Sequence, residues 1–261
     1  MLFIFVFSLL TCSLAADKES SIPKLTDVSA AETFIDSAEV VIVGFFESYP
    51  PSRCVLSLDG CACQAEGGHG YQEFLAAAEE VKTLPAALCK VKEVWAKYSI
   101  DSDSIAIFRK ADLHQENLQL SKMKKLDTDG VVRFLTINNI RFITEYNPVS
   151  AVGLFQSKVK VHLVLMANRG SSNYKKLKGR LEALAPQYTG KLLFVLVNGK
   201  DKANARALDY FQLKSSDLPR VGLYDAKLDK SWLMPPGEIS TERLQTFCDS
   251  FLRGELQVGL L

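Results

Sequence analysis

Leu192-Leu193-Phe194-Val195-Leu196-Val197 is six apolar residues in a row, with no polar residue to interrupt it. A strand with one face in water alternates apolar and polar residues. An unbroken apolar strand has to be covered on both faces, as when helices pack on either side of a sheet. Val40-Val41-Ile42-Val43-Gly44-Phe45-Phe46 is likewise continuous, and Val161-His162-Leu163-Val164-Leu165-Met166 also reads as a strand. Between them lies helical periodicity. Tyr174, Leu177, Leu181 and Leu184 form one stripe, and Pro186 bends or ends that helix. Asn204 to Phe211 reads as a further helix and Arg220 to Tyr224 as a third strand. The last helix carries Leu244, Phe247, Cys248, Phe251 and Leu252 on one face, with Gly254 where a C-terminal cap belongs. Alternation of this kind predicts α/β units around mixed or parallel sheets.

The first half repeats the pattern less clearly. Ser29 and Glu32 fit a capping box at a helix start. Ile105 to Phe108 reads as another strand, Asp129 to Leu135 begins a helix, and the unit ends near Asn139. His114 falls in a polar stretch read as a loop. The 261 residues thus divide into two units, 25–140 and 141–256, each of ordinary domain size. Arg141 to Asn147 would join them. The apolar residues in this link (Phe142, Ile143, Tyr146) predict docked domains rather than free ones.

Charge and termini narrow the function classes. Lys and Arg total 31 against 30 Asp and Glu, without a basic block, so a nucleic-acid partner is not expected. Leu2 to Leu14 is an uncharged apolar run followed by Ala15, too short for a bilayer span of about 20 residues. Residues 1–15 read as a secretory signal peptide, which places the mature chain in an oxidising compartment without a membrane span. Residues 257–261 form a tail ending in Leu260-Leu261 rather than a Lys-Asp-Glu-Leu type retrieval signal, so secretion stays open beside retention.

Leu218-Pro219 stands before the third strand of the second unit. The segments Glu145–Phe155 (EYNPVSAVGLF), Gly190–Val197 (GKLLFVLV), Leu208–Lys214 (LDYFQLK) and Phe247–Leu256 (FCDSFLRGEL) surround it in order. With LTDVSAAETFI from Leu25 and VIVGFF from Val41, these resemble the protein disulfide isomerase family, in its two-domain, redox-inactive branch. The resemblance implies two tandem thioredoxin-like domains of the b and b′ type, with Pro219 in a cis peptide bond. It implies an endoplasmic reticulum protein that binds unfolded polypeptides in a hydrophobic pocket of the second domain. It further implies delivery of these clients to a catalytic disulfide isomerase of the glycoprotein-handling type. The expected molecule is a monomer with no cofactor and no metal.

A thioredoxin-type oxidoreductase needs Cys-x-x-Cys at a helix start, where the helix end lowers the thiol pKa and the second Cys resolves the mixed disulfide. The cysteines stand at 12, 54, 61, 63, 89 and 248, and no pair has that spacing. The corresponding places read Glu47-Ser48-Tyr49-Pro50 and Pro148-Val149-Ser150-Ala151. A catalytic site of the family type is therefore not expected. Cys54, Cys61, Cys63 and His69 lie in a Gly-rich insertion near 52–70 that departs from the family pattern. Three thiols and an imidazole could hold zinc, although Cys-x-Cys is not the usual structural spacing. A thiol- or zinc-dependent enzyme using Cys61, Cys63 and His69 is the alternative. Cys89 could pair with a cysteine of this insertion. Cys248 is expected to be a buried, inert thiol, and His162 a structural residue.

By the same resemblance, Tyr146, Ala151 and Phe155 form one wall of the client pocket. Val195 is its floor, with Ala207, Tyr210 and Phe211 opposite. Ala207, Tyr210 and Phe211 fall on one helix face by spacing alone. Asp229, Lys230, Ser231 and Trp232 take the place of the family's acidic, Trp-containing loop that contacts the partner isomerase.

Overall fold

The computed structural model describes residues 22–48 and 70–256. The stretch expected to be a signal peptide, the Cys54, Cys61, Cys63 and His69 stretch, and the tail lie outside the described residues.

In the first half, β1 (Lys24–Leu25), α1 (Val28–Ile35), β2 (Val40–Phe45), α2 (Tyr71–Glu80), β3 (Ala86–Cys89), α3 (Lys92–Lys97), β4 (Ser104–Arg109), β5 (His114–Gln119) and α4 (Thr128–Asn138) follow one another. The second half has β6 (Ile143–Glu145), α5 (Pro148–Gln156), β7 (Val161–Ala167), α6 (Tyr174–Leu184), β8 (Leu193–Asn198), α7 (Ala205–Tyr210), β9 (Arg220–Asp225), β10 (Lys230–Leu233) and α8 (Thr241–Leu252). The two sheets have the same design. Their strand orders are β1-β3-β2-β4-β5 and β6-β8-β7-β9-β10. In each, the first three strands of that order are parallel and the last two join antiparallel.

The continuous apolar runs have the predicted cause. Along β7, Leu163, Leu165 and Ala167 face a core shared with α6 and α8, while Val164 and Met166 face a second core shared with α5 and α7. In β8, Phe194 and Leu196 face the first core, and Leu193, Val195 and Val197 the second. The first sheet repeats this, with Val40 and Ile42 on one side and Val41, Val43 and Phe45 on the other. A period of two thus sends neighbouring side chains into two separate apolar layers. The Leu218–Pro219 bond is cis.

Four expectations need correction. Helix α1 is capped by Asp27, whose carboxylate accepts from the Ala30 amide at 2.9 Å. Ser29 therefore sits inside the first turn, and Glu32 instead pairs with Lys97 of α3. His114 opens β5, an edge strand whose residues are all half-buried, and meets Glu116 at 3.2 Å. An edge strand covered only in part carries no apolar alternation, so its sequence reads as a loop. Ile143 to Glu145 pairs with β8 rather than serving only as a connection. In α8 the buried stripe stops short of Leu252, which is exposed.

The two halves are in direct contact. Gly153 of α5 lies against the backbone of α4, where a Cβ would stand 1.9 Å from the Ile137 carbonyl oxygen. The Gly190 amide donates to the Ala111 carbonyl at 2.9 Å. Ala111, from the β4–β5 turn, joins the apolar layer formed by Leu154, Val164 and Val195.

Candidate functional site

The α5/α7 face of the second sheet is not fully closed. Between the two helices lies a cavity of about 150 Å³. Its floor is His162 and Val164 of β7 with Val195 and Val197 of β8. Leu154, Phe155 and Tyr146 line one side. Arg206, Ala207, Tyr210 and Phe211 line the other, and Tyr224 of β9 closes the end. An apolar cavity of about this volume accepts a single six-membered aromatic ring.

Local sequence explains the walls. Asn147 caps α5 by accepting from the Val149 and Ser150 amides, both at 2.9 Å, and Ser150 Oγ in turn accepts from the Asn147 amide. Pro148 at the first helical position needs no amide partner. Opposite, the Phe211 ring fits because Gly222 of β9 has no side chain. A Cβ there would lie 2.5 Å from the ring. Ala207 leaves open the space that a larger residue would fill.

Aromatic rings surround the opening. Phe155, His162 and Tyr224 form a triangle with centroids 6.0 to 6.1 Å apart. Tyr210 meets Tyr224 edge to face at 4.9 Å. Phe155 is 46% exposed and Tyr210 39%, unusually open for such large apolar bodies beside a cavity. At the mouth, Tyr210 and Tyr224 both donate to Asp229 Oδ1, at 2.9 and 3.1 Å. Burial and this carboxylate push the Tyr210 hydroxyl up to about 12 and raise that of Tyr224. At the floor, His162 is 4% exposed, and its Nε2 is buried without a hydrogen-bond partner. Burial lowers its pKa to about 4, against the opposing pull of the Val159 and Leu154 backbone. The imidazole is therefore neutral at physiological pH.

Six of the seven residues placed in the pocket by resemblance line this cavity: Tyr146, Phe155, Val195, Ala207, Tyr210 and Phe211. Ala151 does not. It stands one turn before Phe155, and Leu154 takes its place in the wall. His162, Val164, Val197, Arg206 and Tyr224 were missed. Strand register would have found some of them, since Val164 pairs with Val195 across the parallel ladder and Val197 lies two residues along the same face.

The partner segment divides. Asp229 and Lys230 are exposed, but Trp232 of β10 is 8% exposed and stacks edge to face on Phe251 of α8 at 5.0 Å. An anchor has to leave its own core to enter a partner's, and Trp232 belongs to the core. In this structure Trp232 is thus a core residue and not a surface side chain. Cys89 is buried as a free thiol, as is Cys248, and burial raises both pKa values, that of Cys248 to about 12. Among the described residues no three His, Cys, Asp or Glu side chains cluster as metal ligands, and no helix is long and apolar enough to cross a membrane.

Comparison with known proteins gives a consistent set of relatives. Residues 64–250 match the family described as Thioredoxin-like domain. Endoplasmic reticulum resident protein 27 of Homo sapiens is 34% identical over 270 residues, covering 97% of this chain and 92% of that protein. Its Bos taurus counterpart is 33% identical, over 89% of this chain and 79% of that one. Protein disulfide-isomerase of Gallus gallus is 27% identical over 91% of this chain, which spans 42% of that longer protein.

Proposed function

The chain belongs to the protein disulfide isomerase family, with the thioredoxin-like fold of endoplasmic reticulum resident protein 27, and on that premise we propose that it is a non-catalytic binder of unfolded polypeptides. The observation that carries this reading is the cavity between α5 and α7, apolar inside, rimmed by half-exposed aromatic rings and sized for one side chain.

The energetics suit holding and release. One aromatic or aliphatic side chain entering the cavity contributes about 1.5–3 kcal/mol. Micromolar affinity needs about 8 kcal/mol. A client is therefore held by one anchored side chain plus several weak contacts along the rim, which gives tolerance of sequence and fast exchange.

Disulfide exchange is not part of the proposed activity. The sequence has no Cys-x-x-Cys, and Cys89 and Cys248 are buried thiols with raised pKa values, the opposite of what an attacking thiolate requires. The names of the relatives and the apolar leader support residence in the endoplasmic reticulum lumen. Delivery of clients to a catalytic disulfide isomerase belongs to the same reading, through the exposed part of the β9–β10 turn.

Isothermal titration with an unfolded model protein tests the binding. Phe155→Ala and Tyr210→Ala should each weaken it by about five- to twentyfold, the loss of part of one apolar contact. Wild-type affinity in both variants would remove the pocket from the function. An insulin-reduction assay should show no turnover. Asp229→Lys with an unchanged amount of co-purified isomerase would remove recruitment alone.

A further inference from the structure

The first domain reaches the back of this pocket through a buried charge pair. Arg109 and Asp112 flank the β4–β5 turn. Arg109 Nε donates to Asp112 Oδ1 at 3.1 Å and Nη2 to Oδ2 at 2.9 Å, with side chains 2% and 0% exposed. Arg109 Nη1 also donates to Asn138 Oδ1 of α4 at 3.2 Å. A pair used only to stabilise the first domain would end there. Instead, Asp112 Oδ2 accepts a third bond, 2.8 Å long, from Ser157 Oγ of the second domain. Ser157 is the C-cap of α5, and the same hydroxyl accepts from the Val159 amide at 3.2 Å.

The position of Ser157 gives this contact its meaning. It lies two residues beyond Phe155 and three beyond Leu154, the pocket wall. Two residues after it comes Val159, whose backbone acts on His162 of the floor. Ala111 of the same turn packs in the apolar layer of Leu154, Val164 and Val195. A carboxylate held in a fixed plane by the guanidinium fork fixes the hydroxyl it receives. The end of α5 is thereby set in place from the neighbouring domain.

We propose that Asp112, oriented by Arg109, is a positioning residue for the client pocket, holding the Phe155 wall at its working distance from α7 through Ser157. Client affinity is then a property of both domains, although no residue of the first domain lines the cavity. The inference stands on the pocket reading above, because the wall it concerns is the wall of that pocket.

A double-mutant cycle on the full chain tests it, with a fluorescent peptide bearing one Tyr in an apolar context as the probe. Circular dichroism checks that each variant is folded. Ser157→Ala should weaken binding about fivefold, and the same change in a Phe155→Ala background should cost almost nothing, because the wall it positions is gone. Asp112→Asn keeps the volume and puts the same question from the first domain, with the same dependence on Phe155 expected. Loss of affinity in Phe155→Ala with none in Ser157→Ala overturns the positioning role and leaves the pocket intact. So do losses from Ser157→Ala and Phe155→Ala that simply multiply, since a general structural defect would do that. Unchanged affinity in Phe155→Ala overturns the pocket and the positioning role together.

Discussion

The Tyr210 hydroxyl donates to Asp229 Oδ1 at 2.9 Å, tying the last turn of α7 to the β9–β10 turn across the pocket mouth. Asp229 adopts φ +52°, a left-handed conformation that Asp tolerates better than most residues, and Tyr224 donates to the same oxygen. One carboxylate therefore fixes two rim tyrosines.

Replacing that carboxylate should be visible in the tyrosine titration. Its negative charge and the hydrogen bond both disfavour phenolate, in addition to burial, so Asp229→Asn should move the Tyr210 titration from about 12 back toward 10. Tyrosinate absorbance measures it. Because the folded value lies above the unfolded one, the stability linked to Tyr210 is present below pH 10 and lost as pH rises through 12. An identical absorbance titration in Asp229→Asn would show that the contact is absent in solution.

Filling the cavity should block binding without unfolding the protein. Ala207 lines the cavity as a small residue, and Ala207→Trp would occupy the space proposed for a client ring. The expected result is at least about a tenfold loss of affinity for an unfolded protein with little change in melting temperature. Retained affinity would place the anchor elsewhere.

Acid should weaken the fold through His162. Its folded pKa of about 4 lies below the ordinary histidine value of 6.5, so the unfolded chain binds more protons between those limits. The associated stability is present above pH 6.5 and lost as pH falls through 4, on the order of 3 kcal/mol in total. His162→Leu should flatten the acid limb of melting temperature against pH. An unchanged acid limb would mean that other groups carry it.

Gly153→Ala should separate the two domains. A Cβ at 1.9 Å from the Ile137 carbonyl oxygen forces α5 away from α4, at about 1–3 kcal/mol in chemical denaturation. Client affinity should fall with it, because α5 carries the pocket wall. A variant as stable as the parent would show that the two helices do not meet in solution.

Trp232→Ala should behave as a core deletion and not as a loss of partner contact. The indole is buried against Phe251, and truncation is expected to cost about 3–5 kcal/mol. Denaturant melts measure that cost. A stable, folded variant that no longer retains the isomerase would return Trp232 to the interface.

Much of the layer structure was legible in the sequence, because it rests on short-range periodicity. The unbroken run at Leu192–Val197 requires cover on both faces, and the stripe through Leu177, Leu181 and Leu184 supplies a helix to provide it. The missing Cys-x-x-Cys was equally plain, since a spacing of residues needs no fold to be read. The short strand at Ile143–Glu145 and the polar edge strand at His114–Gln119 were not legible, since neither carries an alternation that outweighs its neighbours. The seven residues assigned to the pocket came from resemblance, and six of them line the cavity.

Tertiary structure alone decided the chemistry of the pocket and its dependence on the first domain. Nothing local to Trp232 tells a surface anchor from a core ring, and nothing local to His162 shows that its Nε2 is buried without a hydrogen-bond partner. Ser157 and Asp112 meet across 45 residues of chain. Periodicity is set by the geometry of each strand or helix, whereas such contacts exist only once the two sheets have packed, and no pattern along the sequence encodes the distance between them.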